Sequence, residues 1–392
     1  MAILEGLTDQ GQVVPVQVDT QGRIVAQGLQ GAEGPQGPEG PPGKDGTDGG
    51  SFALPPDPQN GQYLGWMNDT LAWLDAPLPP PDPNTGIVWT SRTSAADNNW
   101  NSVCWSRQAG VFVAVSTSGS GNRVMTSPNG LDWTSRTSAS NNNWLSVCWS
   151  AEVGLFVAVS NSGSGNRVMT SPDGITWTSR TSAVDNAWHS VCWSPAVGLF
   201  AAVSTSGSSN RVMTSPDGIN WTSRTSAADS AWNSVCWSPE VGLFVAVAVS
   251  GSGGQVMTSP DGINWTARTS ANSNVWSSVC WSRQAGVFVA VSETGSGNRV
   301  MTSPDGINWT SRTSAADNGW RSVCWSAMAG LFVAVSESGS GNRVMTSPDG
   351  IDWTSRTSAA DNSWNSVCWS PAVGRFVAVS FSGSGDRVMS SL

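Results

Sequence analysis

Histidine and tyrosine are almost missing from this chain: its 392 residues hold one of each, and charged side chains make up only 12%. The first shortage removes most sets of nucleophile, base and orienting group, and most metal clusters, which need several His, Cys or carboxylate groups held together. The second, with a net charge of −9 and no run of Lys or Arg, excludes the basic surface that nucleic-acid phosphates require. No stretch approaches the ~18 apolar residues of a membrane-spanning helix. The opening MAILEGLTDQGQ lacks a basic segment followed by an apolar run, so no secretory signal is expected and the chain reads as made in the cytoplasm. Strong helix formers give way to Gly, Ser, Thr and Asn, a composition of short strands and polar turns.

Tryptophan, by contrast, occurs 23 times and cysteine seven. The cysteines Cys104, Cys148, Cys192, Cys236, Cys280, Cys324 and Cys368 are each 44 residues after the last. A period of this size marks a solenoid, propeller or array. Seven periods counted back from Leu392 reach Thr85, without insertion. Each unit holds four strand-like runs, such as SVCWS, VFVAVS, RVMTS and DWTSRTS, separated by turns rich in Gly, Pro, Asn and Asp. Four strands per 44-residue unit predict an all-β fold, a seven-bladed β-propeller. The last unit stops after its third strand, at RVMSSL, while a stray TGIVWTSR stands at the other end from Thr85. The strand around Trp89 is therefore expected to complete the last blade and close the ring, removing two exposed edges. An open solenoid would need atypical capping repeats, which are absent.

The repeated SPDGINW fits a type I turn with Pro second and Gly fourth, and its Asp can accept backbone N–H groups. It resembles the Asp-box of sialidase-like and related propellers, one residue tighter than usual; it becomes SPNGLDW at Asn129 and loses Ser and Asp at the Thr85 copy. The sialidase resemblance implies a Tyr nucleophile and three clustered Arg, yet the only tyrosine, Tyr63, precedes the array. Arg211 and Arg224 recur in nearly every blade and read as blade-edge hydrogen-bonding residues. The cysteines read as reduced thiols in the innermost strand, because no His or second Cys supplies tetrahedral spacing around them. No catalytic residue, metal or cofactor is expected, and the lone His189 forms no triad.

Copies that share one fold share packing constraints, so positions that differ are those packing does not dictate. They fall in the segment after RTS, in the residue after the second strand (Thr117, Asn161, Thr205, Val249, Glu293, Glu337, Phe381), and in the turn from Arg107 to Ala109. The first two emerge on one face of a four-stranded blade. That face carries Asn98, Asn142, Asn186, Asn101 and Asn233 near Trp100, Trp144, Trp188, Trp232, Trp276, Trp320 and Trp364. Amides beside aromatic planes suit sugar hydroxyls and C–H faces. The same Trp could equally wedge between blades, with the Asn making turns.

Residues 28–50 carry glycine at every third position, GLQGAEGPQGPEGPPGKDG, the pattern of a collagen triple helix and hence of a homotrimer. Residues 1–27 read as a β anchor, with two strands around DTQG; residues 51–76 as a hairpin neck; 77–84 as a stiff Pro-rich linker; and 85–392 as the propeller. The run LEGLTDQGQVVPVQVDTQGRIV, the triplets and GQYLGW…LAWLDA resemble the amino-terminal parts of fibre and adhesin proteins of tailed bacteriophages, cyanophages among them. The resemblance covers about residues 1–80. It implies a virion fibre, anchored to other virion proteins through residues 1–27, whose heads contact a host-surface polysaccharide. A decorative fibre with no specific ligand is the alternative; a depolymerase would need an acidic pair, for which Glu293 and Glu337 are the one hint.

Overall fold

The computed structural model describes residues 82–251 and 254–391 with their side chains, and the backbone of five strands that precede them. Of those five, Ile3–Leu7, Val13–Val18 and Ile24–Val25 form a three-stranded antiparallel sheet. Gln62–Met67 and Thr70–Asp75 form an antiparallel hairpin with Gln62 opposite Asp75. The collagen-like segment 28–50, residues 77–81 of the linker, and with them the expected homotrimer, lie outside the described residues.

The repeats fold as seven four-stranded antiparallel blades, with no helix among the described residues. Blade one runs Trp100–Ser106 (strand A), Val111–Ser116 (B), Val124–Ser127 (C) and Thr134–Arg136 (D). The A strands of successive blades adjoin around the axis, and B, C and D follow outward in sequence order. The second strand, VFVAVS, is buried over five of its six residues, as its unbroken apolar run predicts, whereas the outer TSR has no buried residue.

Packing energy lies between blades. Val157, Val159 and Val168 of blade two meet Trp188, Val191, Phe200, Ala202 and Met213 of blade three in one core, and six similar clusters repeat around the ring. A circle of hydrogen bonds reinforces them near the axis. The Val147 N–H donates to Ser102 Oγ across blades one and two at 3.2 Å, and the pattern continues blade by blade until Val103 N–H reaches Ser366 Oγ at 3.1 Å. Strand sharing closes the ring as expected: Trp89–Arg92 pairs antiparallel with Val388–Ser391, Arg92 opposite Val388, and Trp89 enters the core between blades six and seven.

In five of the seven C–D turns an Asp, at 173, 217, 261, 305 and 349, is a lock. Asp217 Oδ1 accepts from Ile219 N–H and Asn220 N–H at 2.8 Å and from Ser215 Oγ at 2.9 Å, while Oδ2 accepts from Asn220 Nδ2 at 2.8 Å. Burial opposes the charge, but the bonds from Asn220, Ile219 and Ser215 outweigh it and bring the carboxyl to about 2 from 3.8; Asp261 and Asp305 match it. Asp173 and Asp349 are lowered in the same way. Unfolded, these groups bind protons that the folded turns reject, so their stabilisation is present above pH ~4 and is lost as pH falls toward ~2. Thermal midpoints should therefore drop through that window. The triple variant Asp217→Asn, Asp261→Asn, Asp305→Asn should flatten the drop, because Asn129 already holds its turn by accepting from Leu131 and Asp132 N–H at 2.9 and 3.0 Å.

Candidate functional site

The D-to-A and B-to-C connections do share a face: Thr117 N–H donates to Asn99 O at 3.0 Å, and Asn99 N–H to Ser118 Oγ at 2.8 Å. Most polar groups there hold one connection to the other. Asn98, Asn142 and Asn186 are buried, and their Nδ2 atoms donate to the carbonyls of Asn122, Asn166 and Asn210 at 2.7–2.8 Å. Gly207 explains the glycine of this loop: its φ is +115°, and a Cβ there would lie 2.4 Å from Asn186 Nδ2. Asp185 Oδ1 likewise accepts from Gly165 N–H at 2.8 Å and sits 3.5 Å from Arg167 Nε.

The seven tryptophans Trp100, Trp144, Trp188, Trp232, Trp276, Trp320 and Trp364 have no exposed surface. Each indole N–H donates to the carbonyl four residues before it, at 3.0–3.2 Å. Of the two readings open for them, the rings take the packing one, since no ligand can reach their faces.

Asn101 and Asn233 have a different place. A β-bulge between Trp100 and Ser102, repeated in every blade, turns the residue after each Trp toward the axis. There Asn101, Leu145, His189, Asn233, Ser277, Arg321 and Asn365 surround a cavity of about 120 Å³ floored by the seven serines of the inter-blade circle. Equivalent by repeat, these seven are of five residue types, three of them Asn, gathered in one layer. Asn101 Nδ2 donates to Leu145 O at 2.6 Å, Asn365 Nδ2 to Asn101 Oδ1 at 2.8 Å, and Asn233 Nδ2 to Ser277 O at 2.7 Å.

Arg321 joins the layer to the variable B-to-C loops. It donates to Glu337 Oε2 through Nε at 2.8 Å and Nη2 at 2.6 Å, and through Nη1 to Glu293 Oε1. One guanidinium thus clasps both acids that had suggested a depolymerase. Burial raises Glu293 and Glu337 adds to that, against the pull of Arg321. His189 lies in the same layer without a hydrogen-bond partner among the described residues. Burial, then the charge of Arg321, lowers its pKa from 6.5 to about 4, so it is neutral at pH 7 with one nitrogen to donate and one to accept. The divergence of the residue after each Trp was the available signal for this layer.

The seven cysteines are free and half-buried. Burial raises every thiol, and Cys148 is held further up by facing Cys192 and Cys104; protonated thiols are poor nucleophiles and metal ligands. Both arginine series serve as edge groups: Arg211 Nε and Nη1 donate to Gly207 O and Thr205 O at 2.9 Å, and Arg224 Nε to Thr214 Oγ1 at 2.9 Å.

No protein-family model matches this chain, and no curated protein sequence does. Solved structures do. A streptogramin B lyase superposes with a TM-score of 0.66 at 7% identity, over 78% of this chain and 97% of the lyase. The β-propeller domain of Cps50 (Swd1) from Myceliophteria thermophila gives 0.54 at 10% identity over 78% of this chain and 99% of that one. The GH74 enzyme of Niastella koreensis gives 0.59 at 13% identity, over 77% of this chain and 53% of the enzyme. Likeness at such identities shows the propeller fold alone, and two of the three being enzymes assigns no chemistry here.

Proposed function

We propose that this protein is a phage virion fibre whose propeller is an adhesive head, with the axial mouth as the contact for a host-surface glycan. The observation behind this reading is the chemical divergence gathered at the mouth: a ring that keeps the inner serine and the tryptophan of strand A in all seven blades varies Asn101, Leu145, His189, Asn233, Ser277, Arg321 and Asn365 between them. A cavity of about 120 Å³ is below the ~300 Å³ at which small-molecule pockets begin. The mouth therefore takes a protruding group of a polymer, with His189 supplying the unpaired donor and acceptor. Three heads on a collagen-like shaft would convert weak single contacts into firm attachment through high effective concentration.

His189→Ala is the informative substitution, since no hydrogen bond of the fold is lost with it. Retention of the full-length chain on host envelope polysaccharide should fall about tenfold, the effect of a lost hydrogen bond or two, with an unchanged melting temperature. Unchanged retention would sink the axial reading, and no retention of the unaltered chain would favour a decorative fibre.

A further inference from the structure

Around the perimeter, strand D of each blade faces the C–D turn of the next across a groove. Two such grooves open to about 540 Å³ beside Arg92 and about 530 Å³ beside Arg268, inside the ~300–1,000 Å³ range of small-molecule sites. In the second, Arg268 and Ser270 of one wall confront Asn308 and the half-buried Trp309 of the other. Arg268 Nε donates to Thr258 Oγ1 at 3.0 Å, which fixes the guanidinium, and both terminal nitrogens are without partners among the described residues. Trp309 Nε1 is engaged by Gly306 O at 3.0 Å, so the indole offers apolar ring surface. The neighbouring Asp305 is saturated by Ile307, Asn308 and Ser303, and the Asn308 amide oxygen has no partner among the described residues after Nδ2 donates to Asp305.

We propose that these grooves bind sugar residues that carry a single carboxylate. The paired terminal nitrogens match the two oxygens of a carboxylate, the indole covers the C–H face of a pyranose, and Asn, Ser and Thr meet its hydroxyls. The same fixing bond recurs in all seven blades, from Arg92 to Ser390 Oγ and from the other six arginines to threonine Oγ1, at 2.8–3.0 Å. A net charge of −9 repels a densely charged polymer but is screened over ~8 Å at physiological salt, so isolated acidic sugars in a largely neutral polysaccharide are accepted. The blades also carry their own control. Asp132 puts a carboxylate into the Arg92 groove, and Asp352 is its counterpart in the groove of Arg312, whereas Asn220, Asn264 and Asn308 leave the grooves of Arg180, Arg224 and Arg268 without that charge.

The site is separate from the axial mouth, and His189→Ala leaves it intact. Saturation-transfer NMR on the full chain with methyl β-D-glucuronoside should show binding, at least about tenfold stronger than for methyl β-D-glucoside, the difference expected of a charge-assisted pair. The exposed triple change Asn220→Asp, Asn264→Asp, Asn308→Asp should remove most of the signal, as should Arg180→Gln, Arg224→Gln, Arg268→Gln; each set loses three bonds of the fold and lowers the melting temperature, so the spectra are taken well below the melting temperature of each variant. Asp132→Asn with Asp352→Asn should increase it. No binding of the glucuronoside, equal binding of the two sugars, or a signal that survives both triple variants overturns the proposal.

Discussion

Trp188→Ala is expected to destabilise the propeller by about 3–5 kcal/mol, the cost of emptying a buried aromatic position. The ring is fully buried against Val157, Val159 and Val168 of the preceding blade and Phe200 and Met213 of its own. Its loss also strands the Val184 carbonyl, which now accepts from the indole N–H at 3.0 Å. Chemical denaturation should show a lower midpoint with an unchanged slope. A tryptophan that served to stack on sugar would behave in the opposite way, losing affinity and keeping stability, so one experiment separates the two roles. Unaltered stability would refute the packing assignment for all seven equivalent rings.

Deletion of residues 85–92 is expected to be more damaging still. It removes the D strand of blade seven, whose register runs from Trp89 opposite Ser391 to Arg92 opposite Val388. It also takes Trp89 out of the core shared with Val333, Val335 and Phe376. The loss exceeds that of one aromatic side chain, about 3–5 kcal/mol, and bares an edge strand able to pair with another chain. Calorimetry should show the main transition lost or lowered by more than 10 °C, on the order expected from such a loss, and gel filtration should show association that grows with concentration. Appending the same eight residues after Leu392 should restore both, since Thr85 follows Leu392 in repeat phase. Failure of that rescue would mean that the seam strand stabilises the ring by something other than completing the last blade.

Nearly all of the ring could be read in the amino-acid order, because an array with identical spacing states its own blade count and its own seam. The cysteine period supplied the number of blades; the misplaced TGIVWTSR supplied the closure. The site was harder to read for two physical reasons. A buried tryptophan beside a polar turn and a ligand-facing one have the same sequence surroundings, and only the packing of the adjacent blade decides between them, as with Trp188 against Val159. The bulge between Trp188 and Ser190 adds a residue that strand alternation does not assign to either side. His189 therefore looked like a stray polar residue and proved to face the axis. The asparagines misled in a similar manner, for Asn186 has the chemistry of a sugar contact and spends it on the Asn210 carbonyl.

On a ribosome the seam strand is the first piece of the propeller to be made and the last to meet its partner. Trp89–Arg92 emerges before any blade exists, and Val388–Ser391 only when the array is complete. In the interval it encounters six C strands that all read VMTS, each with a bare edge until its own D strand follows. The near-identity that makes blades interchangeable in the finished ring makes them competitors during synthesis, a local conflict of the kind that roughens a folding landscape. One difference marks the right partner: its Ser390, which receives Arg92 Nε at 2.8 Å where the other strands have Thr. In the finished ring each of those six C strands is paired with its own D strand, and the edge of Val388–Ser391 is the one that Trp89–Arg92 fills.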